Sequence, residues 1–193
     1  MTITRLIATG RKIGTQTALL AATAALLLHG TALAGPEGAQ VESGAATITR
    51  DGANTLIDIS TQNAIINYDS FNVAAQEYVQ FNQLNARARV LNRIQNGAPT
   101  QIDGRIQANG QVFFVNPAGV YFGKGSVVDA AGIYAAAGSI TSADFLNNIN
   151  RFSNLTGEVV NRGSNNSQFV ALVGKRVVKD GIIFAPGRMI KLD

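Results

Sequence analysis

Apolar and polar residues alternate in short runs along most of the chain. Thr47-Ile48-Thr49-Arg50 and Leu56-Ile57-Asp58-Ile59 are β-branched, roughly period-two segments, and Tyr78 to Phe81, Val90 to Ile94 and Gln111 to Val115 continue the pattern. Period two is the mark of a strand, whose successive side chains point to opposite faces of a sheet. Asp51-Gly52, Asn96-Gly97, Asp103-Gly104, Asn109-Gly110 and Asp180-Gly181 punctuate the runs with turn chemistry. Short strands with turns at this spacing predict an all-β fold, but leave sandwich, barrel and solenoid open.

Internal similarity favours the solenoid. Val159 to Gly163 matches Val177 to Gly181 at a shift of 18, Gly104 to Gly110 is echoed at Gly157 to Gly163, and Gln111 to Val115 is echoed from Gln168 onward. One coil of ~18–20 residues would make the longer shifts about three coils, giving roughly seven or eight coils in all. In such a stack Val112, Phe114, Val170, Leu172 and Ile183 face a narrow core, and Phe113 faces outward. One stretch breaks the alternation. Phe145, Leu146, Ile149 and Phe152 follow helical spacing behind Ser142, a candidate N-cap. A short helix near residues 143–150 is expected to lay Phe145, Ile149 and Phe152 on the solenoid wall.

The first residues form a separate unit. Arg5, Arg11 and Lys12 precede an apolar run from Ala18 to Leu28, and Ala32-Leu33-Ala34 supplies the small residues a signal peptidase reads. This is a secretory signal, with cleavage expected after Ala34. The apolar core is too short for the ~20 residues of a membrane-spanning helix. The expected organisation is therefore a signal peptide over 1–34 and one β-helical domain over 35–193, with C-terminal truncation an open reading.

Removing the leader changes the charge. Thirteen of the 16 basic residues and all 12 acidic ones follow Ala34, so the computed pI of 9.7 is largely a property of the leader. No basic stripe is left to argue for nucleic acid. The lone histidine, His29, lies in the leader, and the chain has no Cys or Trp. A zinc site, a Ser-His-Asp triad and a Cys-His dyad each lack a member. No cofactor and no catalytic residue is expected. The 17 Asn after Ala34 suit turns, and in stacked coils they can line up in amide ladders.

The block from Phe71-Asn72-Val73 through Val79-Gln80-Phe81, Val90 to Ile94 and Pro99 to Gly104 to Ala108–Gly123 resembles the two-partner secretion, or haemagglutination-activity, domain of filamentous-haemagglutinin-type adhesins. It is nearest the high-molecular-weight adhesin branch. Val170 to Gly174 and Ile183 to Arg188 resemble later coils of that domain. The resemblance implies a right-handed parallel β-helix with N-terminal capping strands. It also implies a role as secretion address of a large adhesin-like exoprotein, recognised by the periplasmic domains of an outer-membrane β-barrel transporter. The chain would be exported through the periplasm and secreted or held at the cell surface. The family's Asn-Pro-Asn-Gly-Ile signature corresponds here to Asn116-Pro117-Ala118-Gly119-Val120, with Ala118 in place of the second Asn.

These five residues form the candidate recognition motif. Their other reading is architectural. Pro117 fixes φ and pushes Asn116 toward an extended conformation, and Gly119 supplies a permissive φ. If segment 111–122 is itself the contact, the transporter would add a strand to it. Two other functions stay in view. A polysaccharide lyase or hydrolase needs facing carboxylates, and Asp51 with Asp58 is the nearest approach to a pair. A direct glycan- or matrix-binding adhesin would use Tyr68, Tyr78, Tyr121 and Tyr134 as an aromatic platform. Finally, an open strand edge at Ile190-Lys191-Leu192 would invite self-association.

Overall fold

The computed structural model describes residues 35–186 and the backbone of 190–192. The expected signal peptide lies outside them. The described residues begin with antiparallel pieces. β1 (Pro36–Glu37) pairs with β6 (Ser70–Phe71), β2 (Gln40–Ser43) with β5 (Asn63–Tyr68), and β3 (Ala46–Asp51) with β4 (Asn54–Ile59) across the Asp51-Gly52 turn. Every later pairing between strands is parallel.

Three sheets then run along the molecule. The first is β3, β4, β7 (Tyr78–Asn82), β10 (Arg105–Ala108), β13 (Val127–Ala130), β16 (Ser164–Ser167) and β19 (Ile182–Phe184). The second is β2, β5, β8 (Arg89–Ile94), β11 (Gln111–Val115), β14 (Gly132–Ala136), β17 (Val170–Val173) and β20 (Ile190–Leu192). The third is β9 (Thr100–Ile102), β12 (Val120–Phe122), β15 (Glu158–Asn161) and β18 (Arg176–Lys179). The chain visits the sheets in turn, so each circuit stacks on the one before. This is a parallel β-helix with antiparallel capping strands, as the sequence predicts.

The pitch differs from the prediction. Along the first sheet Asn54, Tyr78, Arg105, Val127, Ser164 and Ile182 stack in sequence, so the steps are 24, 27, 22, 37 and 18 residues. The first two sheets hold six parallel-stacked strands each, so the described residues form about six coils and not seven or eight. The shift of 18 is a true coil, because Val159 pairs with Val177 and Val160 with Val178. The other two echoes mislead. Gly104 to Gly110 and Gly157 to Gly163 lie on different sheets. Val112 stacks on Ile133 and Ile133 on Val170, two coils and one residue out of the echoed register. Turns of variable length set the pitch, and they leave no fixed period to read.

The core lies inside the coils. Val112, Phe114, Val170 and Leu172 are fully buried there as expected, whereas Ile183 is only half-buried against it. Phe71 meets Tyr68 edge-on at 5.1 Å and Phe114 at 5.3 Å. Each such buried ring stabilises the fold by about 1.5–3 kcal/mol.

Phe113 corrects a second expectation. It does point away from this core, but it is completely buried in a second cluster with Leu91, Val115 and Phe145. The cover is the long 37-residue step, which carries α1 (Ser142–Leu146). With both faces covered, β11 reads as the continuous apolar run Val112 to Val115, as strands buried on two sides do. The N-cap is Thr141, not Ser142, and its Oγ1 accepts from the Asp144 amide at 3.0 Å. Ser142 instead bonds Glu42. Phe145 packs on the wall as predicted and Phe152 partly does, but Ile149 is exposed because the helix ends three residues before it. The asparagine ladders are also absent from the described registers. Asn92 stacks between Ile66 and Phe114, and Asn165 between Val128 and Ile183.

Candidate functional site

The five motif residues come together as the corner between β11 and β12. Asn116 ends the strand with its amide on the carbonyl of Ala136, 3.0 Å away in the next coil. Pro117 and Ala118 turn the chain, and the Gly119 amide returns to the Asn116 carbonyl at 3.0 Å. That i to i+3 bond with proline second is β-turn geometry. Gly119 takes φ +129°, a value that a side chain resists, and a Cβ there would come within 3.0 Å of the Glu158 carbonyl. Its own carbonyl accepts from Thr100 at 3.0 Å. Val120 then enters the third sheet, buried between Thr100 and Val159.

Asn116 is the hub of this corner. It is 1 % exposed. Its Nδ2 donates to the Ala98 carbonyl at 2.8 Å and to Thr100 Oγ1 at 3.1 Å, and its Oδ1 accepts from the Ala118 amide at 2.9 Å. Both donor hydrogens and the oxygen are therefore engaged within the protein. Thr100, also buried, is a member of this site that the sequence reading missed. Its contact crosses from one coil to the next, 16 residues apart, and no local pattern signals it. Only Pro117 is exposed, with Ala118 half-buried beside it. The corner itself carries no ionisable side chain, so it offers shape and apolar surface, not acid–base chemistry.

A cavity of about 360 Å³ opens beside the corner, lined by Ile94, Val115, Pro117, Ser139 and Arg93 among others. Arg93 pairs with Glu42 at 2.6 Å and also donates to Ser142 Oγ at 3.1 Å and the Ile140 carbonyl at 3.2 Å. The Ser142 hydroxyl and the Asn67 amide, with Arg93 beside them, hold the Glu42 carboxyl below its ordinary range, against a smaller opposing effect of burial. Capping strand β2 is thereby tied to the excursion that covers β11.

The strand-addition reading fails here, and the residues weighed for the two rival functions do not come together. A partner strand cannot add to segment 111–122, because β11 is flanked by β8 and β14, and β12 by β9 and β15. The four tyrosines make no common platform. Tyr68 is buried, Tyr134 stacks on Phe113 at 3.9 Å, and Tyr78 and Tyr121 lie on the first and third sheets. Asp51 and Asp58 sit at opposite ends of the β3–β4 hairpin, opposite Asn54 and Thr47. Among the described residues no group of three or more His, Cys, Asp or Glu is placed to hold a metal ion. No helix there is long and apolar enough to cross a membrane.

Comparison with known proteins follows the same outline. Residues 32–186 match the family described as the TPS secretion domain. The crystal structure of the HMW1 secretion domain from Haemophilus influenzae superposes with a TM-score of 0.71 and 32% identity, covering 77% of this chain and 42% of that one. A heme/hemopexin-binding protein of H. influenzae is 29% identical over 161 residues, which is 78% of this chain and 18% of that protein. A second protein of that name and species is 33% identical over 87 residues, 45% of this chain and 9% of that protein. The chain thus spans less than a fifth of the length of these curated relatives.

Proposed function

The chain belongs to the TPS secretion domain family, and from that premise we propose that it is the secretion address of a large adhesin-like exoprotein, read in the periplasm by a cognate outer-membrane β-barrel transporter. Proteins of this family are exported through the periplasm and are secreted or surface-exposed, and this chain shares that route. The match over residues 32–186 carries the reading, because it spans the described coils up to residue 186 and not one motif. The role asks only for a recognisable surface, and no bond is made or broken.

The recognition motif is Asn116 to Val120, with its residues in two roles. Pro117 and Ala118 are the part a partner can touch. Asn116, Gly119 and Val120 hold that part in place through the bonds to Ala98, Thr100 and the neighbouring coils. The transporter then contacts a preformed corner and its adjoining cavity, not a strand edge.

The test is co-production with the matched transporter. The processed chain should accumulate in the medium when the transporter is present and in the periplasm when it is absent. Equal release without the transporter, or no release with it, overturns the proposal. Binding on a glycan array would favour the direct adhesin, and depolymerisation of pectin or alginate would favour the enzyme. Self-association through β20, which ends the second sheet, belongs to the same reading. It should appear in light scattering as a mass that rises with concentration, and a constant mass argues against it.

A further inference from the structure

Glu77 is a carboxylate 4 % exposed to solvent, in the turn that leads into β7. Its Oε2 accepts from the Ala74 amide at 2.7 Å. Both of its oxygens also face the backbone nitrogen of Gly35, at 3.1 and 3.0 Å, 42 positions away in the sequence. No Lys or Arg pairs with it within 4 Å among the described residues. Arg50 lies beside residue 35: its Nη2 donates to the Pro36 carbonyl at 2.5 Å, and a side chain at 35 would come within 2.5 Å of the same atom. A buried carboxylate facing only neutral amides is poorly compensated.

Gly35 is also the residue that follows Ala32-Leu33-Ala34. We infer that leader cleavage completes a buried ion pair, the new α-ammonium of Gly35 on the carboxylate of Glu77, and that this pair locks the N-terminal cap after export. The inference rests on the export reading above. Hydrolysis adds one water across the Ala34–Gly35 peptide bond. Ala34 departs with a carboxylate, and the Gly35 nitrogen takes up a proton to become –NH3⁺. Before cleavage that nitrogen has one hydrogen to divide between two oxygens. Afterwards it has three, so each oxygen receives its own, and the buried negative charge gains its opposite.

The consequence falls on the cap. Pro36 and Glu37 pair directly with Phe71 and Ser70, and Phe71 is a buried ring of the core. The bond from residue 35 to residue 77 thus ties the start of the processed chain to the turn before the second strand of the coil stack. The unprocessed chain holds that joint by a neutral hydrogen bond, and the processed chain holds it by charge. Closure of the cap is coupled to arrival on the far side of the inner membrane.

The experiment starts from processed protein recovered from the host's periplasm or medium. Mass spectrometry should find Gly35 first, and any other first residue overturns the inference. Acetylation by N-hydroxysuccinimidyl acetate at neutral pH should then modify the α-amine at least about ten-fold more slowly in folded protein than in urea. The exposed Lys124, Lys175 and Lys179 serve as the internal reference. Equal folded and unfolded rates overturn it. Glu77→Gln keeps an acceptor but removes the charge, and should bring the folded rate up toward the unfolded one. An unchanged rate in that variant also overturns the inference, and if the variant does not fold, the wild-type comparison still decides. Secretion is scored in the same cultures. A protected α-amine in protein that never reaches the medium supports this pair and counts against the transporter reading, and a reactive one in secreted protein does the reverse.

Discussion

The guanidinium of Arg89 stands 4.5 Å from the ring centre of Phe145 and donates to that residue's carbonyl at 2.7 Å. The same group lies 4.8 Å from the Phe113 ring and reaches Asn148 Oδ1 at 2.7 Å and Asn150 Oδ1 at 2.5 Å. Arg89 is buried and has no carboxylate partner among the described residues, and burial lowers its pKa. A side chain on the second sheet thus clamps the helical excursion by its face and by its edge at once. Cation–ring contact suits a desolvated guanidinium.

Arg89→Lys should therefore release the excursion without unfolding the coils. Lysine cannot fork to Asn148 and Asn150 while lying against two rings. Limited proteolysis within 147–150 should speed up at least about ten-fold, while the strand signature in circular dichroism stays. Phe145→Ala should open the same segment and cost about 3–5 kcal/mol, the usual range for losing a buried phenyl ring. Unchanged proteolysis in both variants would remove the clamp from the account.

Tyr68→Phe should leave stability unchanged or raise it by about 1 kcal/mol. The Tyr68 hydroxyl is buried with no protein partner among the described residues, and burial raises its pKa. The ring contact with Phe71 survives the change. A clear fall in the thermal midpoint would reveal a partner for the hydroxyl.

Acid should loosen the link between cap and excursion. Ser142, Asn67 and Arg93 hold the Glu42 carboxyl below its usual range, so the folded state binds its proton less readily than the unfolded chain. The stabilisation is complete above the unfolded carboxylate pKa of about 4.3 and is lost as pH falls through the lower folded value. Glu42 is partly exposed, so the effect is modest. Glu42→Gln should flatten the dependence of thermal midpoint on pH between about 5 and 3. An identical slope in the variant would show that other groups carry it.

The sequence was informative where the physics is local. Period two located β3, β4, β7, β8 and β11 to within a residue or two, and turn dipeptides marked their ends. The echo of 18 lies in a coil with short turns and kept its register. Pitch was hidden because turns of unequal length separate strands that stack. Contacts between coils were hidden for the same reason. Nothing near Asn116 points to Thr100, and nothing near Phe113 says that residue 145 will cover it. The five motif residues were found from the resemblance, but their division into exposed and supporting members needed the stack.

That division decides what Asn116→Ile will do. The substitution removes two donors and one acceptor from a side chain that is 1 % exposed. It leaves the Ala98 carbonyl, Thr100 Oγ1 and the Ala118 amide without their partner. Orphaning buried polar groups in this way should cost about 2–4 kcal/mol. Refolding and secretion should then fall together, and secretion alone will not show whether a transporter reads Asn116 itself. Pro117→Ser separates the two roles. Pro117 is exposed and its loss should cost less than about 1 kcal/mol through the freer unfolded chain. If the corner is the address, secretion through the matched transporter should drop several-fold while the thermal midpoint stays near that of the parent. If secretion is unchanged in Pro117→Ser but lost in Asn116→Ile in proportion to stability, the motif is architecture and the transporter reads another face of the helix.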